Sequence, residues 1–146
     1  MLSLTEIFAS VGAPLANSRW SWGAQRRADG AVFLRVWQDE CKKIEGKRVV
    51  CLNAREAFED KSDNLGYVER NQHVAQVRNG NPCYLIMCHA VDPKASPRTI
   101  ANFNGREVFV GGELHAFDGD AWIELKARAT IGSVRPNKSL ERARER

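Results

Sequence analysis

The sequence predicts an α+β domain with a mostly antiparallel, strongly curved sheet or small open barrel, and with two main helices at about residues 3–11 and 65–79. Short segments with strand-like alternation, separated by Asp-Gly and Asn-Gly turns, are typical of hairpins. Apolar residues at helical spacing are confined to two stretches. Because the chain has no strand-helix-strand repeat, a doubly wound parallel sheet is disfavoured.

The first helix has the clearest local pattern in the chain. Ser3 stands at the N-cap position and Glu6 follows three residues later as its capping-box partner. Gly12 and Pro14 end the helix. The apolar stripe that packs it onto the domain consists of Leu4, Ile7, Phe8 and Val11.

Three of the four tryptophans lie in one 18-residue stretch, where they alternate with arginines. The segment 19–23 predicts a short strand, and Asp29-Gly30 predicts the turn of a hairpin into a second strand over 31–37. Side chains alternate across a strand. One face of the second strand, with Val32, Leu34 and Val36, is therefore core, whereas the other, with Phe33, Arg35 and Trp37, is either a second core layer or a binding surface.

The remaining elements follow from the same signals. The polar stretch 38–46 predicts a loop before a strand over 47–53, and residues 54–60 predict a helical turn. Asp63 or Asn64 starts the second helix, and Gly80 with Pro82 ends it. A continuous apolar run from Tyr84 to Cys88 predicts a central buried strand. Four more strands are predicted at 99–103, 107–110, 113–117 and 121–131, with a β-bulge at Gly111-Gly112.

Length and charge predict one globular domain over residues 1–134 and a basic, mobile tail over 135–146. The chain has 146 residues and a net charge of +4, of which +3 falls in the tail and +1 in the rest. A body so close to neutral provides no broad electrostatic footprint for nucleic acid. An anionic ligand must therefore be bound by local clusters of arginines or by the tail.

The sequence contains no signal for a membrane, a metal or a cofactor. No apolar run approaches the roughly 20 residues that cross a bilayer, and no secretory signal is present, so we expect a cytoplasmic protein. The four cysteines form no CxxC pair, and we expect free thiols rather than disulfides. No spacing brings His73, His89 and His115 together as metal ligands.

The leading candidate site is the tryptophan-arginine segment. Bases stack on indole and guanidinium planes, and arginines bind phosphate or base edges. The alternative is an aromatic core with arginines that reach the surface at its edge. If the segment binds a ligand, the stacking residues are Trp20, Trp22, Phe33 and Trp37, and the polar contacts come from Arg19, Arg26, Arg27, Arg35, Arg70 and His73.

The polar face of the second helix is a second candidate. Glu69 and His73 stand four residues apart, so a carboxylate can orient an imidazole there, with Arg70 beside them. This pair is the basis of an alternative function, a small hydrolase or nuclease. We expect these residues on the helix face turned toward water or a ligand, and the structural explanation is a solvated face with a modest ion pair.

The order of these segments resembles small β-barrel readers of the PUA-like group, including the EVE, ASCH and SRA modules, some of which accompany bacterial restriction nucleases. The segments are Trp-Ser-Trp-Gly at 20–23, Val-Phe-Leu-Arg-Val-Trp at 32–37, and Gly-Tyr-Val-Glu-Arg-Asn-Gln-His at 66–73 before a buried strand. The resemblance covers the middle two-thirds of the chain in element order only. It implies a non-catalytic pocket, lined by aromatic residues, that accepts a modified or flipped base.

We therefore predict a non-catalytic domain that binds nucleic acid or a nucleobase-like small molecule through an aromatic and arginine cleft. Besides the hydrolase alternative, a homodimeric interaction protein is possible. In that protein exposed aromatic residues, such as Trp122 on its half-polar strand, are buried against a second copy.

Overall fold

A computed structural model gives the fold and describes residues 2–53, 64–95 and 99–136. The predicted helical turn at 54–60 and most of the predicted tail, 137–146, lie outside these ranges. The helices are α1 (Leu4–Ser10) and α2 (Leu65–Arg78), and short 3-10 helices occupy Gln38–Glu40 and Ile131–Val134. The strands are β1 (Gly23–Gln25), β2 (Val32–Trp37), β3 (Cys41–Ile44), β4 (Lys47–Cys51), β5 (Cys83–Ala90), β6 (Ile100–Phe103), β7 (Glu107–Phe117) and β8 (Asp120–Thr130).

The strands form one mixed sheet in the order β1-β2-β5-β7-β8-β4-β3, and β6 pairs with β5. All pairs are antiparallel except β2 with β5, which runs in parallel from Val32 opposite Cys83 to Trp37 opposite Cys88. The predicted α+β class and the mostly antiparallel sheet are confirmed. The described strands do not close into a barrel, because β1 and β3 are the edge strands and do not pair with each other.

The sheet separates two apolar clusters, each covered by one helix. Val32, Leu34 and Val36 are buried in the cluster that includes Val74 and Val77 of α2, as the alternation along β2 predicted. The opposite face of the sheet packs against α1. This second cluster includes Ile7, Phe8, Val11, Phe33, Ile86 and Val108.

Both helices begin as their sequences predict. Ser3 and Glu6 form the complete capping box of α1. The side chain of Asn64 accepts a hydrogen bond from the Tyr67 amide at the start of α2. Among the described residues, neither helix combines the length and the apolar composition that a bilayer crossing requires.

Three predictions about the strands were wrong. The segment 19–23 is not a strand, since β1 begins only at Gly23 and the residues before it turn. The loop predicted over 38–46 contains β3, which pairs with β4 as a hairpin. The predicted strands 107–110 and 113–117 are one strand, β7, whose pairing with β8 shifts at Gly111. This shift confirms the predicted bulge at Gly111-Gly112.

Candidate functional site

The two groups of candidate residues meet at the N-terminal half of α2. Gly66 lies against the indole of Trp22, and a Cβ at position 66 would stand 2.5 Å from Trp22 Cε2 and 2.7 Å from the Trp20 carbonyl oxygen. The side chains of Trp20 and Trp22 are half-buried. Because only glycine permits this approach, the tryptophan segment packs directly on the helix that carries Glu69, Arg70 and His73.

Arg70 connects α2 to three separate segments. Its Nη1 donates to the Leu52 carbonyl oxygen at 2.9 Å, and its Nη2 donates to the carbonyl oxygens of Trp22 at 3.1 Å and Arg35 at 2.5 Å. Its guanidinium carbon lies 5.7 Å from the centre of the Trp22 ring. Arg70, which was predicted on the helix face turned toward water or a ligand, is buried instead. Carbonyl oxygens of three separate segments replace the water that its donors would otherwise bind.

The charge of Arg70 has no carboxylate partner in an ion pair among the described residues. Burial lowers the pKa of Arg70 to about 10, and the neighbouring charge of Arg35 contributes to the decrease. Both groups keep their protons near neutral pH. The interior beside Trp22 therefore contains the positive charge of Arg70, which carbonyl dipoles and the charge of Glu40 compensate.

Glu69 and His73 do not form the hydrogen-bonded pair that their spacing predicted. Glu69 Oε2 instead accepts from the Ser21 hydroxyl at 3.2 Å. Burial raises the pKa of Glu69, against the opposing effects of Ser21, Arg70 and the Trp22 amide. Burial, followed by the charge of Arg70, lowers the pKa of His73 to about 4. His73 is therefore neutral near pH 7.

One turn of α2 carries three buried polar atoms that have no hydrogen-bond partner in the part of the chain that the structure describes. They are Glu69 Oε1, Arg70 Nε and His73 Nδ1. An unmet buried donor or acceptor costs roughly 1–3 kcal/mol, and most such groups in proteins are met by protein, water or ligand. A polar ligand or an ordered water would satisfy such atoms, and all three lie within residues 69–73.

The face of β2 that carries Phe33, Arg35 and Trp37 differs in burial along the strand. Phe33 is fully buried and stacks on Tyr84 with ring centres 5.0 Å apart, so it belongs to the core and has no surface for a base. Arg35 and Trp37 are half-buried. Burial lowers the pKa of Arg35. Of the predicted face, only Arg35 and Trp37 retain exposed surface.

The Arg35 end lies beside the tryptophan segment. The Arg35 amide donates to the Trp22 carbonyl oxygen at 2.9 Å, so the two chains run next to each other at this point. No described residue forms a hydrogen bond or ion pair with the Arg35 guanidinium. We call the group of Trp20, Trp22, Arg35, Trp37, Glu69 and His73 the indole-arginine cleft; the backbones of Trp22 and Arg35 adjoin there, and the side chains of Arg35 and Trp37 lie on the face of β2 that Phe33 shares, opposite the face that packs on α2.

The other predicted arginines do not join this cleft as one group. Arg26 is buried and donates to both carboxylate oxygens of Asp29 at 2.9 Å and to the carbonyl oxygens of Val11 at 2.9 Å and Val134 at 2.6 Å. These bonds connect the hairpin turn, α1 and the last 3-10 helix, so its donors are not available to phosphate. Arg19 and Arg27 are exposed.

Sequence reasoning missed the contact at Gly66 and the role of Ser21. Glycine in a helix interior is about 1 kcal/mol less favourable than alanine, and this was the available signal of a close approach. The described histidines form no metal site. Within residues 2–53, 64–95 and 99–136, no three metal-binding side chains are grouped so that they could hold an ion.

A separate cavity of about 410 Å³ lies between the C-terminal end of α2 and the bulge of β7. Its lining contains none of the predicted site residues. Val77, Arg78, Gly80, Asn81, Pro82, Cys83, Gly111, Gly112 and Leu114 line it.

Comparison of the chain with protein families, curated proteins and solved structures gave no match. A function for this protein must therefore be argued from the geometry of the indole-arginine cleft.

Proposed function

We propose that the protein is a non-catalytic domain that binds nucleic acid or a nucleobase-like molecule at the indole-arginine cleft. The observation that carries this proposal is the guanidinium of Arg35. It is half-buried, has no hydrogen-bond or ion-pair partner among the described residues, and belongs to a strand whose backbone adjoins Trp22. A planar anionic or phosphorylated ligand matches this combination of charge and flat aromatic surface.

The indoles would provide the stacking surface. Trp22 is held in place by Gly66 below it and by Arg70 beside its ring, so little side-chain freedom would be lost on binding. Trp20 and Trp37 are half-buried and retain partly accessible surface. A stacked base contributes about 1–3 kcal/mol in proteins that bind single strands.

Glu69 and His73 would read the edge of a base. The raised pKa of Glu69 and the lowered pKa of His73 both favour the neutral forms of these groups. Their unmet atoms, Glu69 Oε1 and His73 Nδ1, would exchange hydrogen bonds with the donors and acceptors of a heterocycle. The neutral imidazole of His73 next to the positive charge of Arg70 fits a base next to its phosphate better than a simple anion.

A PUA-like architecture is part of the proposal, and two sets of contacts support it. Strands β2 and β4 contact each other without being paired neighbours. Arg70 of α2 donates to the carbonyl oxygens of Arg35 within β2 and of Leu52 just after β4. A strongly curved sheet with α2 across its opening would produce both contacts.

The hydrolase and homodimer alternatives have less support. The pair that would act as base, Glu69 and His73, is not joined by a hydrogen bond. Trp122, which would mediate a dimer, already packs edge-to-face on Phe117 with ring centres 6.4 Å apart.

The test is titration with labelled single-stranded, duplex and base-modified oligonucleotides at low salt, followed by fluorescence anisotropy and tryptophan quenching. We expect R35A to weaken binding by tenfold or more, since a charged hydrogen bond to phosphate is lost. R106A is the matched control, because Arg106 is an exposed arginine in the turn before β7. Binding of no oligonucleotide, or equal losses in R35A and R106A, would contradict the proposal.

A further inference from the structure

A second aromatic site lies at the tip of the β7-β8 hairpin, apart from the indole-arginine cleft. Lys42 of β3 reaches over this tip and places its ammonium 3.3 Å from the centre of the Phe117 ring and 4.1 Å from the centre of the Trp122 ring. The two rings meet at 85°. They therefore form two walls of a slot that holds one positive charge.

The charges around this slot favour a cation. Between residues 113 and 124 the hairpin carries four carboxylates, at Glu113, Asp118, Asp120 and Glu124, and neither lysine nor arginine. Within the described residues, Lys42 forms no ion pair, and the cation that does pair with Glu113 is Lys47 at 3.2 Å. The ammonium of Lys42 is therefore held by ring faces and by the field of the hairpin rather than by one carboxylate.

An unmodified ammonium suits such a slot imperfectly. It has three N–H donors that require acceptors, and ring faces satisfy them only in part. A methylated ammonium has the same charge with fewer or no donors, so it gives up less on leaving water. Phe117 is 45% exposed, and β3 is an edge strand paired only with β4, so a route to the slot exists once Lys42 moves.

Two unmet nitrogens stand on the same face of the hairpin. His115 and Trp122 are directly opposite each other in the β7-β8 register; Trp122 Nε1 is buried without a hydrogen-bond partner in the described chain, and His115 Nε2, also without a hydrogen bond, lies 4.0 Å from Glu113 Oε2. An indole N–H can only donate. An oxygen atom attached to the cationic ligand would satisfy it.

We propose that Phe117 and Trp122 form a binding site for a methylated ammonium group, and that Lys42 occupies this site as an internal competitor. Free small molecules and methylated lysine side chains offer the same group. Removal of the Lys42 ammonium should open the site without disturbing β3, since Lys42 pairs with Val49 through backbone bonds alone.

The experiment follows the indole N–H resonances of ¹⁵N-labelled protein during titration with tetramethylammonium chloride, with W122F assigning the Trp122 signal. K42A should show a saturable shift of that signal and bind at least tenfold more tightly than wild type, because the tethered competitor is gone. K43A is the matched control, since Lys43 is exposed and its side chain lies on the other face of β3. Choline and Nε-trimethyl-lysine as further ligands distinguish the two sources of the group.

Equal shifts in K42A and K43A, or shifts that sodium chloride reproduces, would overturn the proposal. Should K42A lose its dispersed spectrum, K42M removes the charge and keeps most of the stem. A second measurement uses the wild type: saturating tetramethylammonium should increase the acylation rate of the Lys42 amine, and an unchanged rate would count against displacement.

Discussion

The indole of Trp22 lies across Gly66, so that the first half of α2 and the segment before β1 are in contact, and no side chain at position 66 separates them. Helix propensity alone predicts that G66A stabilises the protein by about 1 kcal/mol. The contact with Trp22 predicts instead that G66A destabilises the protein. A methyl group at 66 must displace Trp22 or the Trp20 carbonyl, and we expect a loss of about 1–3 kcal/mol in the free energy of unfolding. Urea denaturation measures it, with Q72A on the exposed side of α2 as control. A stabilised G66A would contradict the packing.

Arg26 and Arg27 are adjacent in sequence and opposite in role. R26A removes four hydrogen bonds and leaves the carbonyl oxygens of Val11 and Val134 without donors, so we expect a loss of about 3–5 kcal/mol. R27A removes an exposed side chain and should change stability by less than about 0.5 kcal/mol. Thermal and urea unfolding of the two variants provide the comparison. Similar losses in both would show that the Arg26 contacts contribute little.

His73 makes stability depend on pH in the acid range. Its pKa is about 4 in the folded protein and ordinarily 6.5, so the unfolded chain binds the proton more strongly and stability falls as pH drops below about 6.5. Between about pH 7 and pH 5, wild type should lose about 1–2 kcal/mol more than H73Q, after allowance for partial exposure. Glu69 acts in the opposite sense because its pKa is raised, and the comparison at each pH cancels its contribution.

Urea midpoints at both pH values measure this difference. H89Q is the control, because His89 is exposed on β5 and should follow wild type. Parallel pH profiles for wild type and H73Q would mean that the imidazole is solvated in the native state.

The four thiols should react in a fixed order. All are free, Cys41 is half-buried, and the other three are buried. Burial raises the pKa of all four thiols, to about 12 for Cys51 and Cys83 and to about 11 for Cys88, so few thiolates form at neutral pH and exposure decides which thiol reacts first. Iodoacetamide should add one label to the folded protein, at Cys41, and four after unfolding. Mass spectrometry with C41S as control checks this, and early labelling of Cys88 would contradict the buried position.

The sequence predicted what short-range patterns encode. The capping box at Ser3 and Glu6, the cap at Asn64, the core face of β2 and the bulge at Gly111-Gly112 all depend on a few neighbouring residues, and all are confirmed. The parallel pairing of β2 with β5 was missed because 51 residues separate Val32 from Cys83 and no local signal marks a parallel partner.

Only part of the candidate site was predicted, because its contacts join residues that are far apart in the chain. Arginine is usually exposed, and nothing near Arg70 in the sequence shows that three carbonyl oxygens converge on it from distant segments. Phe33 and Arg35 are two residues apart with the same alternation, yet only Phe33 is fully buried. The packing of α1 onto one end of the sheet decides this difference, and alternation cannot reveal it.

The three carbonyl contacts of Arg70 also have a consequence for the order of folding. Leu52, Trp22 and Arg35 reach their positions only when the end of β4, the segment before β1, and β2 are already assembled. An arginine buried before that point would have no acceptors and would be strongly disfavoured. Docking of α2 is therefore a late event that completes the assembly of segments far apart in the chain, and substitutions at Arg70 should accelerate unfolding more than they slow folding.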